Sequence, residues 1–180
     1  MGNTSQQGLL EPMAFEKDTS SRQKKGAHRP VFADVFHEEG EIRDLPKKVH
    51  LLVNPFSGKK KGRAVAQRVI ELVKEAGVDI ASSYSAYSGH LVTMASALVV
   101  GKSDVIAVVG GDGSLSEAIT GRMLLGKKAK DTFAIIPAGT GNSHAHDLNL
   151  SSVEQAVEAM LRGRRQALDL AKVELTEGLP

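Results

Sequence analysis

Three glycine-bearing segments hold the residues whose types and spacing could bind phosphate groups. They are Asn54-Pro55-Phe56-Ser57-Gly58, Gly110-Gly111-Asp112-Gly113 and Pro137-Ala138-Gly139-Thr140-Gly141-Asn142. Each follows an aliphatic run and precedes a segment of helical periodicity, so each is predicted to be a loop between a strand and a helix. Glycine lets backbone N–H groups approach phosphate oxygens, and a helix N-terminus adds a favourable partial charge. A tight turn would explain any one segment; the three together indicate a nucleotide-phosphate site.

The first segment is not a Walker A loop. That motif needs a glycine, four further residues, and then Gly-Lys followed by Ser or Thr. Here Gly58 is followed by three lysines, and Gly62 is followed by Arg63. The chemistry of P-loop proteins is therefore not expected.

The segments around these loops predict alternating strands and helices. Strands are predicted at Val49–Val53, Val78–Ala86, Asp104–Val109, Thr132–Ile136 and Ala167–Leu175, and helices at Val65–Ala76, Leu91–Val100, Ser114–Leu125 and Ser151–Gly163. The helices that open at Ser114 and Ser151 each begin with Ser-x-x-Glu, the pattern of a capping box. Alternation of this kind predicts an α/β fold with a largely parallel sheet and helices on both faces. Ligands of such sheets bind beyond the carboxyl ends of the strands, where the three loops are placed.

Composition and charge indicate where the folded domain begins and which partners are not expected. Residues 1–46 have few periodic apolar positions and are predicted to be a flexible arm, whereas residues 47–166 carry the alternating pattern. The net charge of +2 is spread along the chain, so nucleic-acid binding is not expected. The chain has no cysteine, which excludes disulfides and thiolate metal sites and agrees with a cytoplasmic location.

The three loops, in this order and at these separations, resemble the catalytic-domain motifs of the diacylglycerol kinase family, which includes sphingosine and ceramide kinases. The second loop continues as Ser114-Leu115-Ser116-Glu117, and the resemblance runs from about Val49 to Leu175. NAD kinases share the Gly-Gly-Asp-Gly element but not the flanking Asn-Pro and Gly-Thr-Gly-Asn elements as a set. The resemblance implies an ATP-dependent, Mg²⁺-dependent kinase that acts on a lipid hydroxyl, with the three-layer fold of the nucleotide-binding domain of that family.

The same resemblance assigns residues to the nucleotide site by position. The nucleotide-binding residues that it implies are Asn54, Ser57, Gly58, Lys59, Ser85, Gly110, Gly111, Gly113, Ser114, Glu117, Gly139, Thr140, Gly141 and Asn142. Ser85 stands where the family has a threonine before the second helix, and it keeps the hydroxyl.

Asp112 is the residue to which the resemblance assigns the chemistry. It would act as general base for the lipid hydroxyl, or as the residue that holds Mg²⁺ and its waters. The structural alternative is a helix cap, in which the carboxylate accepts backbone N–H groups. For Glu117 the two interpretations weigh equally, because the predicted capping box accounts for it as well as a nucleotide contact does.

Two departures from the family pattern affect the predicted substrate and boundaries. Ser143-His144-Ala145 stands where many members have Asp-Phe-Ala, which leaves diacylglycerol and a sphingoid base both open as acceptors. Members continue into a second, β-rich domain, and residues 167–180 are expected to be only the start of it. Peripheral membrane contact would follow from a lipid substrate. Two alternatives stay open at this point, a non-catalytic nucleotide-binding or regulatory module of the same fold and a relative of NAD kinases.

Overall fold

The computed structural model describes residues 45–126, 131–163, 165, 167, 169–171 and 173. The predicted arm lies almost entirely outside the described residues. Four of the nine residues of the predicted strand Ala167–Leu175 also lie outside the described residues, and the five that are described are not in regular structure.

Four strands and six helical segments alternate along the described chain. In chain order they are β1 Lys48–Val53, α1 Ser57–Lys60, α2 Gly62–Glu75, β2 Asp79–Tyr84, α3 His90–Ser96, β3 Val105–Gly110, α4 Asp112–Met123, β4 Thr132–Pro137, α5 Ser143–Asp147 and α6 Val153–Leu161. The sheet has the order β2-β1-β3-β4, and all of its pairs are parallel. The predicted α/β class is confirmed.

The two central strands form the core because both of their faces are covered. All six residues of β3 are buried, and so are the last five of β1, which explains their continuous aliphatic sequence. Helices α3 and α4 pack together on one side, and α2 packs with α6. β2 is an edge strand with a polar, mostly exposed sequence. Close packing of α3 on α4 depends on Gly121, where an added Cβ would lie 2.1 Å from the Val92 carbonyl oxygen.

Several predicted boundaries were wrong. β2 ends at Tyr84, so Ser85 and Ala86 lie in the loop that follows it, and α3 stops at Ser96 instead of Val100. α4 starts at Asp112, two residues earlier than predicted, because the extended backbone of Gly111 already provides the cap position.

Both predicted capping boxes were also wrong. Ser114 lies inside α4, and the Glu117 carboxylate accepts a hydrogen bond from the Gly89 backbone 3.0 Å away. At α6 the cap is Ser152, whose hydroxyl accepts from the Gln155 N–H at 3.2 Å. Glu154, the predicted partner, instead pairs with Arg68 on α2 at 3.1 Å.

Candidate nucleotide-binding site

The three glycine loops converge at the carboxyl ends of β1, β3 and β4, as predicted. Backbone bonds join them in sequence along the sheet: Asn54 N–H donates to the Val109 carbonyl at 2.9 Å, and Ala138 N–H donates to the Gly110 carbonyl at 3.1 Å. The side-chain amide of Asn54 donates to the Ser114 hydroxyl at 3.1 Å. This last bond crosses the gap between β1 and β3, where the strand order reverses, which is where open parallel sheets bind ligands.

Several glycines are required by contact between the loops themselves. A Cβ on Gly58 would lie 2.0 Å from the Ala138 carbonyl oxygen, and one on Gly139 would lie 2.7 Å from the Gly111 Cα. Gly113 differs, because a Cβ there meets nothing within 4 Å. Loop packing therefore accounts for Gly58 and Gly139 without any ligand, whereas the space at Gly113 is open to one.

The first loop has an unusual backbone. Gly58, Lys59 and Lys60 have φ values of 54°, 59° and 70°, so α1 is a left-handed turn and not a right-handed helix. A left-handed conformation costs a residue with a side chain about 1–2 kcal/mol. The Ser57 hydroxyl donates to the Asn54 carbonyl at 2.8 Å, which ties the turn to the end of β1. Lys59 and Lys60 are exposed beside the site.

Asp112 caps a helix, but not its own. Its carboxylate accepts from the backbone N–H groups of Ser143 at 2.9 Å and His144 at 3.1 Å, at the start of α5. The His144 ring nitrogen Nδ1 lies 2.8 Å from the same carboxylate. These contacts, the His144 side chain first and then the two backbone donors, hold the pKa of Asp112 far below its usual range. Asp112 is therefore an ionised carboxylate that joins the second loop to the start of α5, directly after the third loop.

The third loop is held in shape by its own asparagine. Asn142 has a left-handed φ of 51°, its side-chain oxygen accepts from Gly139 N–H at 2.9 Å, and its amide donates to the Gly139 carbonyl at 2.8 Å. Thr140 and Gly141 are exposed at the tip. Asn142 thus shapes the loop, and Thr140 and Gly141 present it to a ligand.

A cleft of about 200 Å³ lies beside the loops. It is lined by Asn54, Phe56, Ser85, Tyr87, Ser88, Leu91 and Glu117. Three of the residues assigned to the nucleotide therefore share one cleft, namely Asn54, Ser85 and Glu117. The other assigned residues lie on the loops outside it.

Sequence reasoning missed Phe56, Tyr87, Ser88 and Leu91. The available signal was the position of two aromatic residues in loops directly after parallel strands, at the ligand-binding edge of the sheet. Cleft volumes for whole ligands are usually ~300–1,000 Å³, so this one fits part of a nucleotide better than all of it.

Three comparisons with known proteins agree with this geometry. Residues 48–173 match the sequence profile described as the diacylglycerol kinase catalytic domain. Sphingosine kinase 1 of Arabidopsis thaliana is 31% identical over 156 residues, which cover 81% of this chain and 32% of that protein. A diacylglycerol kinase of Mycobacterium tuberculosis is 31% identical over 134 residues, which cover 73% of this chain and 42% of that protein.

The fold comparison gives the same result. A crystal structure of a diacylglycerol kinase from Bacillus anthracis superposes with a TM-score of 0.56 at 26% identity, covering 66% of this chain and 43% of that one. The chain thus spans less than half the length of these relatives. Among the helices that the structure describes, none is long and apolar enough to cross a membrane.

Proposed function

The chain belongs to the diacylglycerol kinase catalytic-domain family, and we propose that it carries the nucleotide-binding part of an ATP-dependent lipid kinase. The proposed reaction transfers the γ-phosphoryl group of ATP to the hydroxyl of diacylglycerol or of a sphingoid base. The observation that carries the proposal is the convergence of the three glycine loops at the carboxyl ends of β1, β3 and β4, with the ionised Asp112 of the second loop bonded to the start of α5.

The N-terminus of α4 is the proposed phosphate-binding element. No side chain caps this end of the helix, so its first backbone N–H groups can donate hydrogen bonds to a ligand. The helix dipole adds a partial positive charge at the same place. The open space at Gly113 would let a phosphate approach the backbone of this first turn.

The low pKa of Asp112 favours a charge-organising role over general-base catalysis. An efficient general base has a pKa near the working pH, and three hydrogen bonds keep this carboxylate far below that range. An anionic carboxylate beside phosphates repels them unless a cation lies between. Mg²⁺ commonly binds through one or two carboxylates plus phosphate oxygens, so a single aspartate fits it. When bound, Mg²⁺ would neutralise charge on the phosphates.

The chain's own residues would then position the reactants. In the transfer, the lipid hydroxyl oxygen forms a bond to the γ-phosphorus, the bond from that phosphorus to the bridging oxygen of ADP breaks, and the hydroxyl proton passes to solvent. Thr140 and Gly141, exposed at the tip of the third loop, would bind the phosphates from the other side. Lys59 and Lys60 add positive charge for the phosphates and for an anionic membrane surface.

Calorimetric titration of the chain with ATP and Mg²⁺ tests the nucleotide part of this proposal. Asp112→Asn is expected to weaken Mg²⁺-dependent binding about tenfold or more, the loss that accompanies one charge-assisted contact. Asp147→Asn, at an exposed aspartate of α5, is the matched control and keeps wild-type affinity. A folded wild-type chain that binds no ATP at millimolar concentration would overturn the proposal.

Transfer of radiolabel from ATP to vesicles of diacylglycerol or sphingosine tests the reaction. Labelled phospholipid identifies the acceptor. Tight ATP binding without transfer to any lipid would instead indicate the non-catalytic module, and a labelled dinucleotide formed from NAD would indicate a relative of NAD kinases.

A further inference from the structure

We propose that Phe56 and Tyr87 form an aromatic base-binding surface, on which a nucleobase stacks while its phosphates lie on the glycine loops. The proposal rests on the proposed function, because it assigns the base end of the same nucleotide. Both rings line the cleft, and both are mostly exposed, at 61% for Phe56 and 62% for Tyr87.

Tyr87 is held in place although it is exposed. Its ring stacks on that of His90, with centroids 4.5 Å apart and planes 12° apart. His90 is fixed in turn, because its Nδ1 accepts a hydrogen bond from the Ala86 backbone N–H at 3.0 Å. One face of Tyr87 is thus covered by a fixed imidazole while the ring stays mostly open to solvent. A ring oriented in this way can stack on a base with little further loss of side-chain freedom.

The cleft continues directly from the phosphate loops. Asn54 belongs to both, since it lines the cleft and donates to Ser114 in the first turns of α4. Glu117, one turn further along α4, lines the cleft and holds the Gly89 backbone that leads into α3. A ligand with its phosphates at the N-terminus of α4 can therefore extend past Asn54 to Tyr87.

The lining favours a base over an acyl chain as the occupant. Asn54, Ser85, Ser88 and Glu117 place polar groups around the aromatic rings. An acyl chain would bury these groups without hydrogen-bond partners, which is costly, whereas a nucleoside offers donors and acceptors at its edges. Stacking is tolerant of base identity because every base has a π-face. This surface is therefore expected to raise the affinity for both ATP and GTP, and to leave the affinity for tripolyphosphate unchanged.

Tyrosine fluorescence reports the stacking directly. The chain has two tyrosines and no tryptophan, so the signal comes from Tyr84 and Tyr87 alone. Binding of ATP is expected to quench the tyrosine fluorescence of the wild type and of Tyr84→Phe. No quenching is expected in Tyr87→Phe. Tyr84→Phe is the matched control because it keeps the ring that lies 4.9 Å beneath the Arg63 guanidinium.

Calorimetry with two ligands separates this proposal from the proposed function. Tyr87→Ala is expected to weaken ATP–Mg²⁺ binding about tenfold, within the range measured for base–aromatic stacking, and to leave tripolyphosphate–Mg²⁺ binding unchanged. Tyr87→Phe is expected to restore the lost affinity. His90→Ala, which removes the support of the ring, is expected to produce a smaller loss for ATP alone.

Three outcomes would count against one proposal or the other. If Tyr87→Ala and Phe56→Ala, shown to be folded by circular dichroism, bind ATP like the wild type, the base surface is refuted and the phosphate site stands. If Tyr87→Ala weakens both ligands equally, Tyr87 acts through loop structure and the base surface is again refuted. If the wild type binds neither ligand, the proposed function itself fails.

Discussion

Replacing Asp112 with alanine removes the carboxylate that joins the second glycine loop to α5. Two backbone donors lose their acceptor, at 2.9 Å and 3.1 Å, together with the His144 ring at 2.8 Å. Loss of a helix cap costs typically ~1 kcal/mol. The contact with His144 adds at most about 0.2–1 kcal/mol, because the two side chains are 52% and 33% exposed and because the contact is an ion pair only when His144 is protonated. We expect a loss of about 1–2 kcal/mol, or roughly 5 °C in Tm.

The dependence of this loss on pH distinguishes the carboxylate contact from a general packing defect. The pKa of Asp112 is lowered in the folded state, so its contribution to stability is complete above the unfolded value of about 3.9 and disappears as pH falls toward the folded value. Thermal unfolding followed by circular dichroism is expected to show a deficit for Asp112→Ala at every pH from 8 to 5. The deficit should shrink below pH 4.

The control for this experiment is Asp147→Ala, which removes an exposed aspartate from the same short helix. It should unfold within about 0.5 kcal/mol of the wild type, as surface changes usually do. A deficit for Asp112→Ala that is absent at pH 7, or that grows as the pH falls to 3, would refute the capping role of Asp112.

Three further substitutions separate ligand binding from folding. The Cβ added by Gly113→Ala meets open space, so the free energy of unfolding should stay unchanged or rise by up to about 1 kcal/mol. Calorimetry should nevertheless show weaker ATP binding, because the methyl group occupies the space proposed for a phosphate. Unchanged binding would mean that Gly113 is not part of the site. Gly121→Ala places a Cβ 2.1 Å from the Val92 carbonyl oxygen and should cost about 1–3 kcal/mol in urea unfolding. Arg122→Met removes the guanidinium that lies 2.7 Å from the Asp131 carboxylate and should cost about 3 kcal/mol or more in the same assay. Adding Asp131→Asn should recover only part of this loss, because the guanidinium also donates to the Ala95 and Leu98 carbonyl oxygens.

The fold and the convergence of the loops could be predicted because they follow from patterns that are local in the sequence. The continuous aliphatic runs of β1 and β3 reflect burial on both faces, and parallel strands place their following loops at one edge. The prediction that Asn54 and Gly110 lie at the same end of the sheet needed no long-range information.

The errors arose where a tertiary partner replaced a local one. Glu117 matches a capping box, yet the Gly89 backbone in the loop before α3 is its partner. Glu154 also matches a capping box, yet its partner is Arg68 on α2. The bond from Asp112 to His144 joins residues 32 positions apart. No periodicity in the sequence encodes such a contact.

The aromatic surface was missed for a related reason. Sequence reasoning treats Phe56 and Tyr87 as ordinary loop residues, because neither belongs to a periodic apolar face. Their significance depends on exposure and on the stacking of Tyr87 against His90, which only the packed structure defines.

Three separate loops are proposed to form one nucleotide-phosphate site. Backbone amide NMR of the chain during titration with ATP and Mg²⁺ can follow all three at once, because each loop contributes its own N–H resonances. We predict that the backbone amides of residues 54, 56–60, 110–114 and 138–142 shift together with a single dissociation constant. Shifts confined to one loop, or different dissociation constants for different loops, would contradict it.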